Sequence, residues 1–422
     1  MRSINKLIAA IALIFSAQAF GAGFEKTTTF SAENAALSNA TTSVVQGADA
    51  VLFNPAGLVR GPDREYSFNL SPAFSTFTGP TNVNDTSSST GDQQISPLFG
   101  ILSKYKLTEQ LSLGYGIFSV GGTAVDHGTL DFSGSAGYTG VTAANGVKFT
   151  SDLKILEFTA AAGYAINEQF SVGLGWRASF VSADYESYSP GTGPATITDV
   201  KLEGLKAQDF GGFRLGAQYD GGKWGAGFTY RTKVEFTAKG DATTETFLGA
   251  NGATVVASAT DDVEAENVLP SAFDLAFHYD IDEATRVFVG YTQHNYSENE
   301  QFDLTSAGAF AASSGVATIP QDWENSEVYK LAVEYKGWAY PVRVGYAYVA
   351  PATSKDKASA GYTAPGPGYN FGVGSSYAIG DSAIDYALEV GGSSGDGDAY
   401  YGTSGDFSTN YTQLHVSYKL PW

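Results

Sequence analysis

Along much of the chain, apolar and polar residues change places at every second position. At the C-terminus Leu414, Val416, Tyr418, Leu420 and Trp422 share one face of an extended segment, and Gln413, His415, Ser417 and Lys419 share the other. Phe273, Leu275, Phe277 and Tyr279 oppose Asp274 and His278, while Tyr329, Leu331, Val333 and Tyr335 oppose Lys330 and Glu334. Val342, Val344, Tyr346 and Tyr348 oppose Arg343; Ile384, Tyr386, Leu388 and Val390 oppose Asp385 and Glu389. This period of two belongs to β-strands with one apolar and one polar side. It predicts fourteen strands, over 64–76, 95–107, 110–121, 150–166, 169–187, 200–218, 224–238, 265–280, 285–297, 325–336, 340–350, 367–379, 382–393 and 409–421.

A soluble sandwich would alternate in the same way, so the connections carry the distinction. Tight turns such as Asn167-Glu168, Asp220 to Lys223, Ile281 to Glu283 and Gly380-Asp381 join alternate strand pairs. The other connections are long and rich in Gly, Ser, Thr and Asp: Gly79 to Gln94, Gly121 to Gly146, Lys239 to Asp262, and Glu298 to Glu324. Strict alternation of short and long links is the layout of an outer-membrane barrel, with short periplasmic turns and long outer loops. The fold class expected is therefore all-β: a transmembrane antiparallel barrel of about fourteen strands, with both termini in the periplasm. Trp224, Tyr279, Tyr335 and Tyr340, at strand ends, fit aromatic girdles at the membrane interfaces. An amphipathic strand ending in Trp422 resembles the signal read by outer-membrane assembly machinery, although Phe is the usual last residue.

Composition narrows this further. The 422 residues include 50 Gly, 25 Tyr and 27 Phe but no Cys, which removes disulfide scaffolds, thiolate metal sites and thiol chemistry. The net charge of −20 argues against a nucleic-acid partner. Arg2 and Lys6, the apolar run Leu7 to Phe15 and Ala17-Gln18-Ala19 read as a secretory signal over residues 1–19, with Gly21 or Ala22 as alternative ends. Its loss removes two positive charges and takes the net charge from −20 to −22.

Residues 20–63 do not alternate. Ser31 to Ala40 and Gly47 to Phe53 suggest short helical pieces of small residues, followed by Asn54-Pro55-Ala56-Gly57-Leu58. Such a segment ahead of a barrel (residues 64–422) can hang free in the periplasm or fold into the lumen. Small side chains and an Asn-Pro turn suit a confined space.

Gly47-Ala-Asp-Ala-Val-Leu-Phe-Asn-Pro-Ala-Gly-Leu58 just before the first strand, with Ala22-Gly23-Phe24 near the mature start, resembles the FadL/TodX family of outer-membrane hydrocarbon transporters. The resemblance spans the chain in architecture, and its specific motif is Asn54, Pro55 and Ala56. It implies a plugged channel in which the N-terminal hatch fills the lumen. Hydrophobic ligands are captured outside, pass a site near Phe24, and leave sideways through a gap at a kinked third strand. That strand carries Gly114, Gly116, Gly121 and Gly122, and glycine in a strand often marks a bend. The function expected is uptake of hydrophobic compounds, foremost long-chain fatty acids. Aromatic hydrocarbons, or a non-specific porin or surface adhesin, are the alternatives. No catalytic constellation and no cofactor is expected.

A fatty acid needs an apolar pocket and a cation for its carboxylate. Inward parity selects Arg177, Arg214, Arg231, Arg343 and Lys330, with Arg286 and Lys233, as lumen cations. The plainer reading of each is a charge ladder with Asp274, Glu334, Asp385 or Glu389. His278, His294 and His415 point inward on separate strands, His127 lies in a loop, and no metal site follows. Gly391 to Asp398 reads as an outer loop. The acidic run Asp261 to Glu266 could share divalent cations with lipopolysaccharide, or be a solvated rim. Partners expected are hydrophobic small molecules, membrane lipid, lipopolysaccharide and the assembly machinery, around a monomer.

Overall fold

The computed structural model describes residues 30–81, 88–130, 147–190, 196–248, 254–306, 308, 318–357, 365–400 and 403–422. Fourteen antiparallel staves close on themselves. They are β1 (Arg64–Thr81), β2 (Gln94–Lys106), β3 (Leu111–Leu130), β4 (Val147–Ala165), β5 (Phe170–Pro190) and β6 (Thr196–Asp220). β7 runs Trp224–Arg231 and continues as Val234–Leu248; β8 runs Thr254–Leu269 and continues as Ala272–Asp280. β9 (Thr285–His294), β10 (Ser326–Tyr335), β11 (Val342–Val349), β12 (Gly368–Ile379), β13 (Ser382–Tyr400) and β14 (Thr403–Pro421) complete the wall. The seam is antiparallel, from Glu65↔Pro421 to Thr78↔Ser408. Closure gives every described stave a neighbour on both sides, the condition for a β-structure in a medium that offers no hydrogen bonds.

The alternation sorts side chains between two environments. Leu275, Phe277, Tyr279, Val289, Leu331, Leu414 and Val416 face outward and are exposed, while Asp274, His278, Lys330 and Gln413 face inward and are buried. In water so continuous an apolar surface would aggregate; against lipid it is the stable arrangement. Trp224 and Tyr279 are register partners at the short-turn end, where a girdle ring belongs. Turn chemistry closes that end. Asp282 Oδ1 accepts from the N–H groups of Ala284 (2.9 Å) and Thr285 (2.7 Å), and Gly380 adopts φ +60° in the Gly380-Asp381 hairpin.

At the opposite end the strands are longer than the alternation suggests. The segment from Lys239 to Asp262, read as a loop, is mostly a hairpin in which Asp262 pairs with Asp241. Within Asp261 to Glu266, Val263 and Ala265 are buried, while Asp262 and Glu266 are exposed on the other face. Gly391 to Asp398 belongs to β13, and β3 continues to Leu130 and includes His127. Beyond the hydrocarbon the outer face meets water and need not be apolar, so these extensions lose the period-two signature while keeping their ladders.

Residues 30–63 fill the lumen. α1 (Ala32–Ala36) lies against β11 to β14, and the 3₁₀ turn Pro55–Val59 lies against β3 to β6; between them come a 3₁₀ turn Gly47–Asp49 and α2 (Ala50–Phe53). The wall is thinned by glycine where this hatch touches it. A Cβ on Gly173 would lie 2.3 Å from the Pro55 carbonyl carbon, and one on Gly372 would lie 2.2 Å from the Ala35 carbonyl oxygen. Neither neighbour is a flexible side-chain end, so backbone would have to move.

Gly173→Val is therefore expected to fold as a barrel but to lose roughly 1–3 kcal/mol through overpacking. Its hatch should be displaced, which lowers the thermal midpoint and raises conductance in planar bilayers. A variant with both quantities unchanged would contradict the close fit of hatch and wall.

Candidate functional site

Asn54 is the pin of the hatch. It is fully buried, and its Nδ2 donates to the carbonyls of Thr42 (2.9 Å) and Ala217 on β6 (3.1 Å). Its Oδ1 accepts from Ala56 N (3.1 Å), capping the 3₁₀ turn that Pro55 opens. Gln218 on β6 donates to Thr42 O (3.0 Å) and Val45 O (2.9 Å). Asn54, Pro55 and Ala56 thus act as one unit of cap, fixed φ and small side chain against the wall.

The other side of the hatch is held by charge. Glu33 of α1 pairs with Lys419 (2.5 Å) and Arg343 (3.4 Å). Arg343 also meets Glu334 (2.9 Å) and Asp385 (3.6 Å), and Lys419 also meets Asp385 (3.1 Å). Asp49 accepts from the hydroxyls of Ser31 and Ser67, each at 2.7 Å. Lys330 pairs with Asp274 and donates to Asn39 O (3.0 Å); Asp274 also accepts from Thr42 and Thr292. The Lys419 ammonium, with Arg343 behind it, holds the Glu33 carboxyl well below the usual carboxylate range, against the opposing effect of burial.

A third group of cations lies on β5 to β7. Glu157 is shared by Arg177 Nε (2.8 Å) and Arg214 Nη2 (3.2 Å). Arg231 is the register partner of Arg214, and its Nη2 lies 3.4 Å from Pro270 O and 3.5 Å from His294 Nδ1. Arg214, Arg231 and His294 open onto a cavity of about 110 Å³, whose apolar side is formed by Leu52 and Phe53 of the hatch and Val120 of β3. Its lining also includes Asp274, which pairs with Lys330, so the space offers two guanidinium groups beside an already paired carboxylate, with room for a headgroup and not for a long chain.

The selected cations therefore separate. Arg214 and Arg231 meet at this cavity, Arg177 lies behind Arg214, and Arg343 and Lys330 serve contacts to the hatch. Arg286 is at the rim, on Asp280 (2.5 Å). Lys233 is a correction to the parity reading: it is exposed and paired with Glu235 (2.6 Å). It occupies the break between Arg231 and Val234, where the inward and outward phases of β7 slip by a residue. Phe24 lies outside the described residues. His294, Leu52, Phe53 and Val120 were not selected as ligand contacts from sequence. Only His294 had an inward parity, and that property it shares with many residues.

β3 behaves differently on its two sides. Its register with β2 runs from Lys106↔Ser112 to Gly100↔Phe118 and ends there. Its register with β4 continues to Leu130, slipping between Ser119 and Gly121 so that Val120 is bulged. Gly114 and Gly116 lie in the stretch paired to β2, where Gly114 makes room for Val51: a Cβ there would lie 2.6 Å from Val51 Cγ2. Gly121 and Gly122 lie beyond it, and Gly122 adopts φ +146°. Phe30 of the hatch sits beside the point of divergence, its ring 5.6 Å from Phe118 and 5.9 Å from Phe53, in the notch left by Gly100.

The model of a protein family described as "Outer membrane protein transport protein (OMPP1/FadL/TodX)" matches residues 12–390. The chain belongs to this family. It is an outer-membrane β-barrel of the FadL/TodX transporters of hydrophobic compounds, a channel family and not an enzyme family. Solved FadL-type structures superpose over nearly all of it. A Pseudomonas aeruginosa FadL homologue matches with TM-score 0.77 and 15% identity, covering 95% of this chain and all (100%) of its own. The P. putida toluene transporter TodX matches with TM-score 0.75 and 16% identity over 94% and 99%. The Ralstonia pickettii toluene transporter TbuX matches with TM-score 0.65 and 20% identity over 92% and 98%. At these identities the likeness is one of fold. No curated protein sequence matches the chain.

The Glu33 tether gives the FadL-type hatch a pH dependence. A carboxyl held below its free value stabilises the docked state fully above that value, 4.5, and loses this contribution as pH falls towards the lowered one. Conductance of the native protein should therefore be low at neutral pH and rise in acid. Glu33→Gln should conduct more at neutral pH and lose much of the acid-dependent rise. Identical curves for the two proteins would contradict the tether.

Proposed function

We propose that the protein takes up long-chain fatty acids, holding the carboxylate at Arg231 and Arg214 and releasing the ligand sideways into the bilayer where β2 and β3 part. In this reading residues 1–19 export the chain, residues 20–63 form the hatch, and Phe24 contributes to the apolar side of the ligand site. The observation that carries it is the cavity in which Arg214, Arg231 and His294 face Leu52, Phe53 and Val120. A guanidinium offers a carboxylate two parallel charge-assisted hydrogen bonds. Toluene, the cargo named for TodX and TbuX, would bring nothing to pair with it. Arg177, through Glu157, orients Arg214.

Sideways release is supported by the position of Val120, which lines the cavity and is also the bulged residue beside which the β2–β3 register stops. A hydrocarbon tail gains roughly 25 cal/mol per Å² by leaving water, so a route into lipid is favoured over an aqueous one.

Uptake of a long-chain fatty acid and of the matching alkane, measured in cells expressing the protein, separates the ligand classes. Arg231→Gln removes a charged hydrogen-bond donor worth about 1.5–3 kcal/mol. Fatty-acid uptake should fall by roughly tenfold or more, since 1.4 kcal/mol is a factor of ten, and alkane uptake should hold. Equal loss of both, or of neither, would contradict carboxylate pairing at Arg231.

A further inference from the structure

Two prolines face each other across β1 and β2: Pro72 is the register partner of Pro97. A strand proline has no N–H to give, so each marks a missing ladder bond. The side on which each bond is missing follows from the neighbouring strand. On the far side of β1, the register with β14 includes Leu70↔Val416 and Ala73↔Gln413 but omits Ser71 and Pro72. The nitrogen of Pro72 thus points towards β14. Side chains compensate there, since Gln413 Nε2 donates to Ser71 O (3.0 Å) and His415 Nδ1 lies 2.9 Å from Ser71 Oγ.

In an antiparallel pair, directly opposed residues point their N–H groups either both towards each other or both away. Pro72 points away from β2, so Pro97 points away from β1, towards β3. Extending the β2–β3 register by three residues past Gly100↔Phe118 would set Pro97 opposite Gly121. The bulge at Val120 does not by itself explain why the register stops, because on the β4 side pairing resumes at once with Gly121↔Ile155. On the β2 side the register already lapses at Phe99↔Ser119, and at Gly121, where β4 pairs again, the continued register would present a proline.

We propose that Pro97 is a positioning residue of the exit: by withholding a donor at that point it keeps β2 apart from β3 between Phe118 and the bond from Asp92 N to Asp126 O (2.8 Å), and so sets the width of the opening. The inference rests on the reading of sideways release. Pro72 serves as its internal control, a proline on the neighbouring strand whose nitrogen faces the seam.

The test compares Pro97→Ala, Pro72→Ala and the double variant Leu98→Cys/Val120→Cys, which can be cross-linked across β2 and β3 in this cysteine-free chain. Each is assayed for fatty-acid uptake in cells after surface expression and heat-modifiable gel mobility show a folded barrel. Amide hydrogen exchange at position 97 is followed in the purified protein. The proposal expects Pro97→Ala to take up fatty acid several-fold more slowly with a protected amide at 97, and Pro72→Ala to match the native protein. Pro97→Val adds the same donor with a strand-favouring side chain and replaces Pro97→Ala if that variant does not fold. If the cross-link blocks uptake while Pro97→Ala leaves it unchanged, the exit stands and the role of Pro97 falls. If uptake persists with the cross-link formed, sideways release itself is wrong and the proposal falls with it. Equal slowing by Pro72→Ala would also overturn it, since the effect would then not depend on which strand receives the donor.

Discussion

Backbone polar groups in hydrocarbon must find partners within the protein, and the rest of this structure follows from that constraint. It requires the fourteen staves to close, with β1 against β14. It fixes the alternation, because one face of each stave meets lipid and the other the lumen. It also makes any interruption of the ladder costly, so interruptions carry meaning. Two stand near one another: the omission at Ser71–Pro72 in the seam, and the end of the β2–β3 register at Gly100↔Phe118. The first is bridged by Gln413 and His415. The second lies beside the cavity lined by Arg214, Arg231 and Val120.

Filling a barrel of this size poses the opposite problem. The lumen is polar, and the hatch must bring its own partners for buried charges and carbonyls. It does so asymmetrically. On the β6 side the buried bonds are neutral and centre on Asn54, whose amide donates to two carbonyls and accepts from one N–H, with the Arg60–Asp220 ion pair (3.0 Å) at the short-turn end. On the β11 to β14 side they are ionic and centre on Glu33, Lys419 and Arg343. Neutral bonds buried from water hold a fixed position, whereas an ionic set answers to pH and salt. The cavity lies between hatch and wall, with Leu52 and Phe53 from the one and Arg214, Arg231 and Val120 from the other. Movement of the hatch would therefore reshape the cavity itself.

Much of the wall was legible from sequence, for a physical reason. Where a strand crosses hydrocarbon its outer face must be apolar, so Phe273 to Tyr279 or Leu414 to Leu420 declare both strand and face. Where the same strands rise into water that demand lapses. Asp261 to Glu266 and Gly391 to Asp398 then read as loops although they are paired strands. The break in β7 at Lys233 was hidden because a one-residue slip leaves no mark in composition. The site was less legible than the wall. Inward parity selected Arg214 and Arg231, which line the cavity, together with Arg343 and Lys330, which hold the hatch, and nothing local distinguishes the two kinds. Gly114 suggested a bend and instead makes room for Val51. Pro97 lies within the segment 95–107 read as a strand, but the direction of its nitrogen depends on a register that joins it to Pro72.

The central claim is the path: from the cavity at Arg231, past Val120, into lipid between β2 and β3. Photo-cross-linking with a long-chain fatty acid carrying a diazirine near its tail, followed by peptide mapping, tests it most directly. The account predicts labelling of the Gln94–Lys106 and Leu111–Leu130 peptides around Leu98, Phe99, Ser119 and Val120, with little on the periplasmic side of the hatch. Labelling concentrated instead on Arg60 and its neighbours Gln169 and Asp220, at the short-turn end of the lumen, would contradict it and would mean that the ligand passes the hatch into the periplasm.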